Sequence, residues 1–449
     1  MESSASVTVG VRFVCLTLGL AACGGGQPAP APAMHARGVL PLHRSSGSLI
    51  EHVIIMVQEN RTPDYLFQGV PGADIAKSAI DSHGDRVPLK PVSLAARYDL
   101  PHGHVAFVTD YDRGKMDGFD IGLKRREKNG PYGYAPHAEV RPYDDMARQY
   151  VLADRMFQTN QGGSFPAHQY FVSGTASALP ETPFNVSSEP FNRLTLKHAE
   201  GGCDAMMLAA VNTINPQDGS NGPVAFPCFD RPVLSDFLDR QGVSWRYYQH
   251  DLGAGIWHAL DAIRHVRDGP DYVNVVTPPQ SIISDVSSGD LPGVSWVMPA
   301  DDWHSDHAGN GSSAGPSWVA AVVNAVGKSR YWDSTAILIT WDDWGGWYDH
   351  VPPQQMGNSY ELGFRVPLLV ISPYAKRGYV AHVQYEFGSL LAFAEETFGI
   401  PKGALGTTDV RANSLMDAFD FTQQPRVFVP IKAPPFKPAP SPAANIEDP

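Results

Sequence analysis

Positive charge is in short supply in this chain. Its 449 residues carry 34 Lys and Arg against 47 Asp and Glu, a net charge of −13. A surface of that sign does not attract a phosphate backbone, so nucleic acid is not expected as a partner. Long apolar runs are missing as well. No segment approaches the roughly 20 residues needed to span a bilayer, so a soluble or tethered protein is expected rather than an integral one. Cysteine is scarce, with four residues, and no internal repeat is visible. What is present is ordinary globular material: 43% hydrophobic, 18% charged and 10% aromatic residues. Frequent Gly and Pro suggest structured loops more than disorder. The length admits one large α/β domain or two smaller ones.

The ends read differently from the middle. Arg12 precedes an apolar run, 13–20, that closes in Leu20-Ala21-Ala22-Cys23. This is the form of an export signal with a small-residue cleavage region. Followed by Gly24-Gly25-Gly26, it also has the form of a bacterial lipoprotein box, which would make Cys23 the lipidated first residue. Plain secretory cleavage and a non-exported apolar start are the alternatives. The expected location is therefore outside the cytoplasm: periplasmic and membrane-tethered through Cys23, or secreted. Residues 1–23 are assigned to the signal and 24–48 to a Pro/Ala/Gly spacer, extended and semi-rigid. Residues 49–421 form the main domain and 422–449 a Pro-rich tail. With Cys15 and Cys23 set aside, Cys203 and Cys228 are expected to pair in an exported chain; two free buried thiols are the alternative.

Within the domain, short apolar runs end in polar clusters. Residues 334–340 (STAILIT) have the β-branched content of a buried strand and run into Trp341-Asp342-Asp343-Trp344-Gly345-Gly346-Trp347-Tyr348-Asp349-His350. Two adjacent carboxylates at a strand end repel unless a cation or a shared proton compensates. Two glycines let the chain turn closely beside them. A loop with solvated acids and a structural His350 is the plainer reading. Residues 52–58 (HVIIMVQ) have the same form and end in Glu59-Asn60-Arg61. Further strands are predicted at 244–249, 294–298 and 366–372. Helices are predicted at 143–157, 167–173, 231–241, 257–267, 281–288, 317–329 and 386–398. Residues 182–228 read as a loop-rich insertion stapled by the disulfide. Strands alternating with helices predict an α/β fold, a doubly wound, mostly parallel sheet sandwiched by helices.

The ordered set Glu59-Asn60-Arg61, His102 before Gly114-Lys115-Met116-Asp117-Gly118-Phe119, Ser173-Gly174-Thr175, Asp306-His307 and 341–353 resembles the bacterial phosphoesterase family of phospholipases C and acid phosphatases. The block from Trp341 to His350 is its most specific member. The resemblance covers roughly 49–421 and implies an alkaline-phosphatase-like fold. It also implies a divalent metal ion, its identity open, held by Glu59, Asn60, Ser164, Asp342 and Asp343. Ser164, in Gly162-Gly163-Ser164-Phe165-Pro166, falls at the nucleophile position, with Thr159 as competitor and a helix N-cap as its plainer role. His102 would bind phosphoryl oxygens or support the transferring group, His307 would protonate the leaving alcohol or hold a phosphate oxygen, and His350, downstream of the Asp pair, would be an orienting residue. The implied substrate is a phosphoester, either a phospholipid or a soluble phosphomonoester. C-terminal modules and a twin-arginine signal found in long phospholipases C are not seen, which weakens the case for a lipid. Two rivals stand beside this reading. A sulfatase needs Arg where His168 follows Ser164-Phe165-Pro166-Ala167, and a non-catalytic, ligand-binding surface lipoprotein would use the aromatic loops alone.

If Cys23 carries lipid, Cys23→Ser moves the protein from the membrane fraction to the soluble fraction on cell fractionation. Membrane recovery that survives the substitution removes the tether.

Overall fold

Two seven-residue strands set the frame, β1 (His52–Gln58) and β6 (Thr335–Trp341), and every residue in both is buried. They come from a computed structural model that describes residues 48–123, 130–179 and 181–439. The segment expected as an export signal, with Cys15 and Cys23, and the expected spacer up to residue 47 lie outside the described residues. Strands buried on both faces read as unbroken Val/Ile/Leu runs, as these two do, and require cover on both sides.

Six shorter strands complete the sheet: β2 (Val151–Ala153), β3 (Trp245–Tyr248), β4 (Val275–Val276), β5 (Val294–Val297), β7 (Leu368–Ile371) and β8 (Tyr379–Ala381). Their order is β4-β3-β5-β1-β6-β7-β2-β8. All neighbours are parallel except at β7, which runs antiparallel to both β6 and β2. The fold is thus the expected mostly parallel α/β sheet with one reversed strand. Helices Ser164–Ser173 and Phe387–Thr397 pack together in one layer. His137–Gln149, Gly315–Gly327 and Ser281–Ser288 pack together in another. Among the described residues, no helix is long and apolar enough to cross a membrane.

Some elements depart from the expectation. The helix predicted from Tyr143 begins at His137 and carries Pro142 inside it, and the apolar stretch after it is strand β2. The helix predicted over 257–267 is broken into a 3₁₀ turn, Ala259–Ala262, and a short helix, Arg264–Arg267. The cause is Phe229, whose N–H donates to the Ala262 carbonyl (2.7 Å) and whose carbonyl accepts from Arg264 N–H (2.8 Å). Those groups are then committed to a bridge that leaves Ile263 extended and buried. Cys203 and Cys228 are bonded, with their Cα atoms 4.5 Å apart. The insertion they staple carries two short antiparallel pairs. Residues 422–439, expected as a tail, have no regular structure but lie against the domain. Ile431 is buried and exchanges two 2.9 Å hydrogen bonds with Asn324, while Phe436 packs on Trp318 and His304.

One buried ion-pair network ties the loops at this end together. The Arg365 guanidinium donates from Nε to both Asp349 oxygens (3.0 Å each), and from Nη1 to the Asp154 (2.8 Å) and Asp74 (3.0 Å) carbonyls. Its Nη2 lies 3.4 Å from Asp64. Arg365, Asp64 and Asp349 are fully buried. Removing one partner of such a pair strands the others without compensation, at a cost of about 3–5 kcal/mol. Arg365→Gln is therefore expected to lower stability by that order in urea unfolding. A change under about 1 kcal/mol would show that the network is not holding these loops.

Candidate functional site

The pairing of β1 with β6 decides what meets at the sheet edge. Gln58 is in register with Trp341, and Asp342 N–H donates to the Gln58 carbonyl (3.0 Å). Glu59 and Asp342 are the next residues along, and they leave the sheet side by side at its C-terminal edge, where open α/β sheets bind ligands. Asn60 then takes a left-handed conformation (φ 62°), turning its N–H onto Asp342 Oδ1 (3.0 Å). The chain after Asp343 has to pass close to this turn. A Cβ on Gly345 would stand 2.4 Å from the Asn60 carbonyl oxygen, and Gly345 itself is at φ 59°. Glycine is therefore required there by space as well as by conformation.

The carboxylates are oriented by backbone. Asp342 Oδ1 accepts from Asn60 N–H and from Asp343 N–H (2.8 Å), while its Oδ2 is buried and accepts no hydrogen bond among the described residues. Asp343 Oδ1 accepts from Gly345 N–H (2.6 Å), and its Oδ2 lies 3.3 Å from Ser164 Oγ. Ser164 Oγ is also 3.3 Å from Glu59 Oε2. All these side chains are buried, with Ser164 1% exposed and the acids at 0%. Ser164 is the first residue of the helix Ser164–Ser173. The N–H after it, on Phe165, donates to both oxygens of Glu189 (3.0 and 3.2 Å), so that a carboxylate sits at the positive end of this helix.

A second chain of contacts orients Asn60. His102 Nδ1 donates to the Leu100 carbonyl (2.6 Å), since a carbonyl can only accept. Its Nε2 in the neutral ring then accepts from Asn60 Nδ2 (3.0 Å). This leaves Asn60 Oδ1 buried and without a hydrogen bond among the described residues. His307 is built in the same way. Nδ1 donates to the Ala308 carbonyl (2.6 Å), so Nε2 is the atom that can take or give a proton. The two rings are 6.0 Å apart. His307 also lines a cavity of ≈ 270 Å³ with Asp302, Trp257, His258, His250 and Glu200. Burial pushes Asp302 up to about 6, with His250 and His307 opposing.

The structure brings Glu59, Asn60, Ser164, Asp342 and Asp343 to one point, with His102 beside them. It places His350 elsewhere. That ring bonds to Asp64 through Nδ1 (2.8 Å) and Asp74 through Nε2 (3.1 Å), inside the Arg365 network. Burial alone lowers its pKa, but the hydrogen bond and charge of Asp64 outweigh it and hold the pKa above the ordinary value. Thr159, the competitor for nucleophile, accepts from Phe387 N–H (3.0 Å) at the start of another helix. One residue at the site is missing from the sequence reading. His168 Nε2 lies 3.3 Å from Glu59 Oε1 and 3.8 Å from Asp342 Oδ2. Its signal was the spacing, because Ser164 and His168 are four apart on one helix and share a face.

The oxygen set fits a cation. Two acid oxygens around Ser164 Oγ stand farther off than a charge-assisted O–H···O⁻ bond of about 2.5–2.7 Å. Asp342 Oδ2 and Asn60 Oδ1 are buried polar atoms without hydrogen bonds, and Glu59, His168 and Asp342 each offer a ligand atom within 4.8 Å of the others.

The Phosphoesterase family model matches residues 50–401, and the chain belongs to that family. It is 26% identical over 428 residues to a non-hemolytic phospholipase C of Pseudomonas aeruginosa, covering 82% of this chain and 57% of that one. A phospholipase C B of Mycobacterium tuberculosis is 25% identical over 438 residues, covering 84% and 78%. The chain thus spans under two thirds of the Pseudomonas relative's length. A solved Vibrio parahaemolyticus protein in the alkaline phosphatase superfamily aligns over 83% of this chain and 72% of its own, at 12% identity and a TM-score of 0.37.

Beneath the site, Asp306 has a testable titration. It is buried at φ 52°, and its Oδ2 accepts from Tyr143 Oη (2.7 Å) and Trp341 Nε1 (3.1 Å). Burial raises its pKa from 3.8 to about 6, against the pull of Arg61 and these two donors. A raised acid favours folding while protonated. That contribution is full below about 3.8 and is lost as the pH climbs through about 6. Asp306→Asn keeps the shape and does not titrate. Relative to wild type it should gain on the order of 1–3 kcal/mol between about pH 4 and about pH 7, read from urea unfolding at both. Parallel stability curves for the two proteins would show that Asp306 is ionised throughout.

Proposed function

We propose that the protein is an exported, metal-dependent phosphoric-ester hydrolase, phospholipase C-like or acid phosphatase-like, acting through a phosphoserine at Ser164. The observation that carries this reading is Ser164 Oγ, at a helix start, 3.3 Å from both Glu59 and Asp343. Membership of the Phosphoesterase family supports the reaction class.

The chain's own groups account for the parts such a reaction needs. Glu59, Asn60, Asp342, Asp343 and Ser164 would hold a divalent ion. Such an ion, when bound, lowers the pKa of a hydroxyl and offsets the charge on phosphoryl oxygens. Ser164 Oγ attacks phosphorus, the bond to the ester oxygen breaks, and the alcohol leaves with a proton. Water then cleaves the phosphorus–Oγ bond and returns the hydroxyl. His307, with Nδ1 tied to a backbone carbonyl, would give the proton to the departing alcohol from Nε2. His102 would act through Asn60, by holding its amide nitrogen and leaving the amide oxygen for the ion. His350 is left to the ion-pair network. The ≈ 270 Å³ cavity beside His307 is lined by acids and histidines on one hand and by Trp257, Ile256 and Ala254 on the other. Its size suits a phosphorylated head group or a small monoester. The relatives named above are phospholipases C, so both substrate kinds are carried into the test.

The test measures p-nitrophenyl phosphate, p-nitrophenylphosphorylcholine and phosphatidylcholine vesicles, each with and without chelator. At least one is expected to be turned over by the wild type and protected by chelator. Ser164→Ala is expected to lower that rate by roughly a thousandfold or more, with circular dichroism unchanged and metal content nearly intact, since the other ligands remain. Full activity in this variant removes Ser164 as nucleophile. No turnover of any phosphoester favours the ligand-binding alternative.

A further inference from the structure

We infer that His168 is a direct ligand of the metal ion, and that the site therefore takes a first-row transition ion in preference to calcium. The inference rests on the metal-dependent phosphoesterase reading and adds to it a residue outside the oxygen set.

The distances carry the argument. His168 Nε2 is 3.3 Å from Glu59 Oε1 and 3.8 Å from Asp342 Oδ2. A charge-assisted bond between imidazolium and carboxylate closes to about 2.7–2.9 Å. Two ligands on a common ion, each about 2.0–2.2 Å from it, stand about 3.0–3.4 Å apart. The pair with Glu59 matches the second geometry, and the pair with Asp342 is too long for a hydrogen bond of any kind. Asp342 Oδ2 is the oxygen left without a hydrogen bond by the backbone donors around it. The three ligand atoms lie within 4.8 Å of one another, and all three residues are buried.

The helix makes this placement rigid. Ser164 and His168 are one turn apart on a helix whose ten residues are all buried. Arg231 fixes the helix from outside, donating to Gln169 Oε1 (2.6 Å) and Ser173 Oγ (3.0 Å). The side chains at the first and fifth positions thus reach the same point, the one with oxygen and the other with nitrogen. A nitrogen ligand changes the selectivity of the site. Calcium takes oxygen ligands, whereas imidazole suits zinc, iron and their neighbours.

Metal-stripped full-length protein is titrated with Zn²⁺ and with Ca²⁺, and the zinc-loaded protein is measured by X-ray absorption at the zinc edge. Zinc is expected to bind at least about 100-fold more tightly than calcium, with imidazole scattering in its shell. His168→Gln and His168→Asn are expected to weaken zinc by about 100-fold or more and to change calcium little. A wild-type zinc shell without imidazole scattering overturns the ligand assignment, and this measurement needs no variant to fold. Unchanged zinc binding in both variants, or calcium bound more tightly than zinc by the wild type, also overturns it; in each case the phosphoesterase reading still stands. A wild type that binds neither ion overturns the metal reading itself, and this inference with it.

Discussion

Like charges brought together out of water are the constraint on which this structure turns. Glu59, Asp342 and Asp343 are all fully buried, and the register of β1 on β6 leaves no freedom to move them apart. Repulsion in a low-dielectric interior is strong. The protein meets part of it with backbone dipoles: the N–H groups of Asn60, Asp343 and Gly345 each point at a carboxylate oxygen. The other oxygen of each Asp faces a shared centre. The arrangement fits a cation, and the local backbone bends around it, with Asn60 and Gly345 both left-handed.

The remaining elements hold that centre still. Ser164 stands on a buried helix, and Asn60 is turned by a ring that is itself tied to a carbonyl. Sites whose ligands are fixed by a further layer of contacts keep their geometry without a bound partner. The Arg365 network works on the same loops from outside, clamping Asp349 and Asp64 a few residues beyond the acid pair. It shows the other way of keeping carboxylates buried, with a permanent guanidinium.

Much of this frame could be read from the chain. The apolar runs of β1 and β6 are each followed by acids, and burial on both faces leaves them few polar positions, His52, Gln58, Thr335 and Thr340. Two glycines beside the acid pair signal close approach, and Gly345 meets Asn60 as such a signal requires. Other features carry no such mark. Two- and three-residue strands such as Val275–Val276 and Tyr379–Ala381 are too short for any period to show. The break at Ile263 is made by Phe229, more than thirty residues away. His350 is adjacent in sequence to the acid block, yet the turn at Gly345 and Gly346 sends it to a different network. His168 was visible as an absence, the place where a sulfatase would have Arg. Its spacing from Ser164 acquires meaning only once both are known to lie on one helix.

The carboxylate of Glu189 at the head of the helix that begins at Ser164 bears on what would happen after the proposed reaction. An open helix N-terminus attracts anions, and free phosphate released beside Ser164 would rest there and slow the next cycle. Here the Phe165 N–H is already engaged by both oxygens of Glu189. On the proposed reading, the Phe165 N–H at the start of this helix is therefore not available to hold a released phosphate, which is left to the other groups of the site.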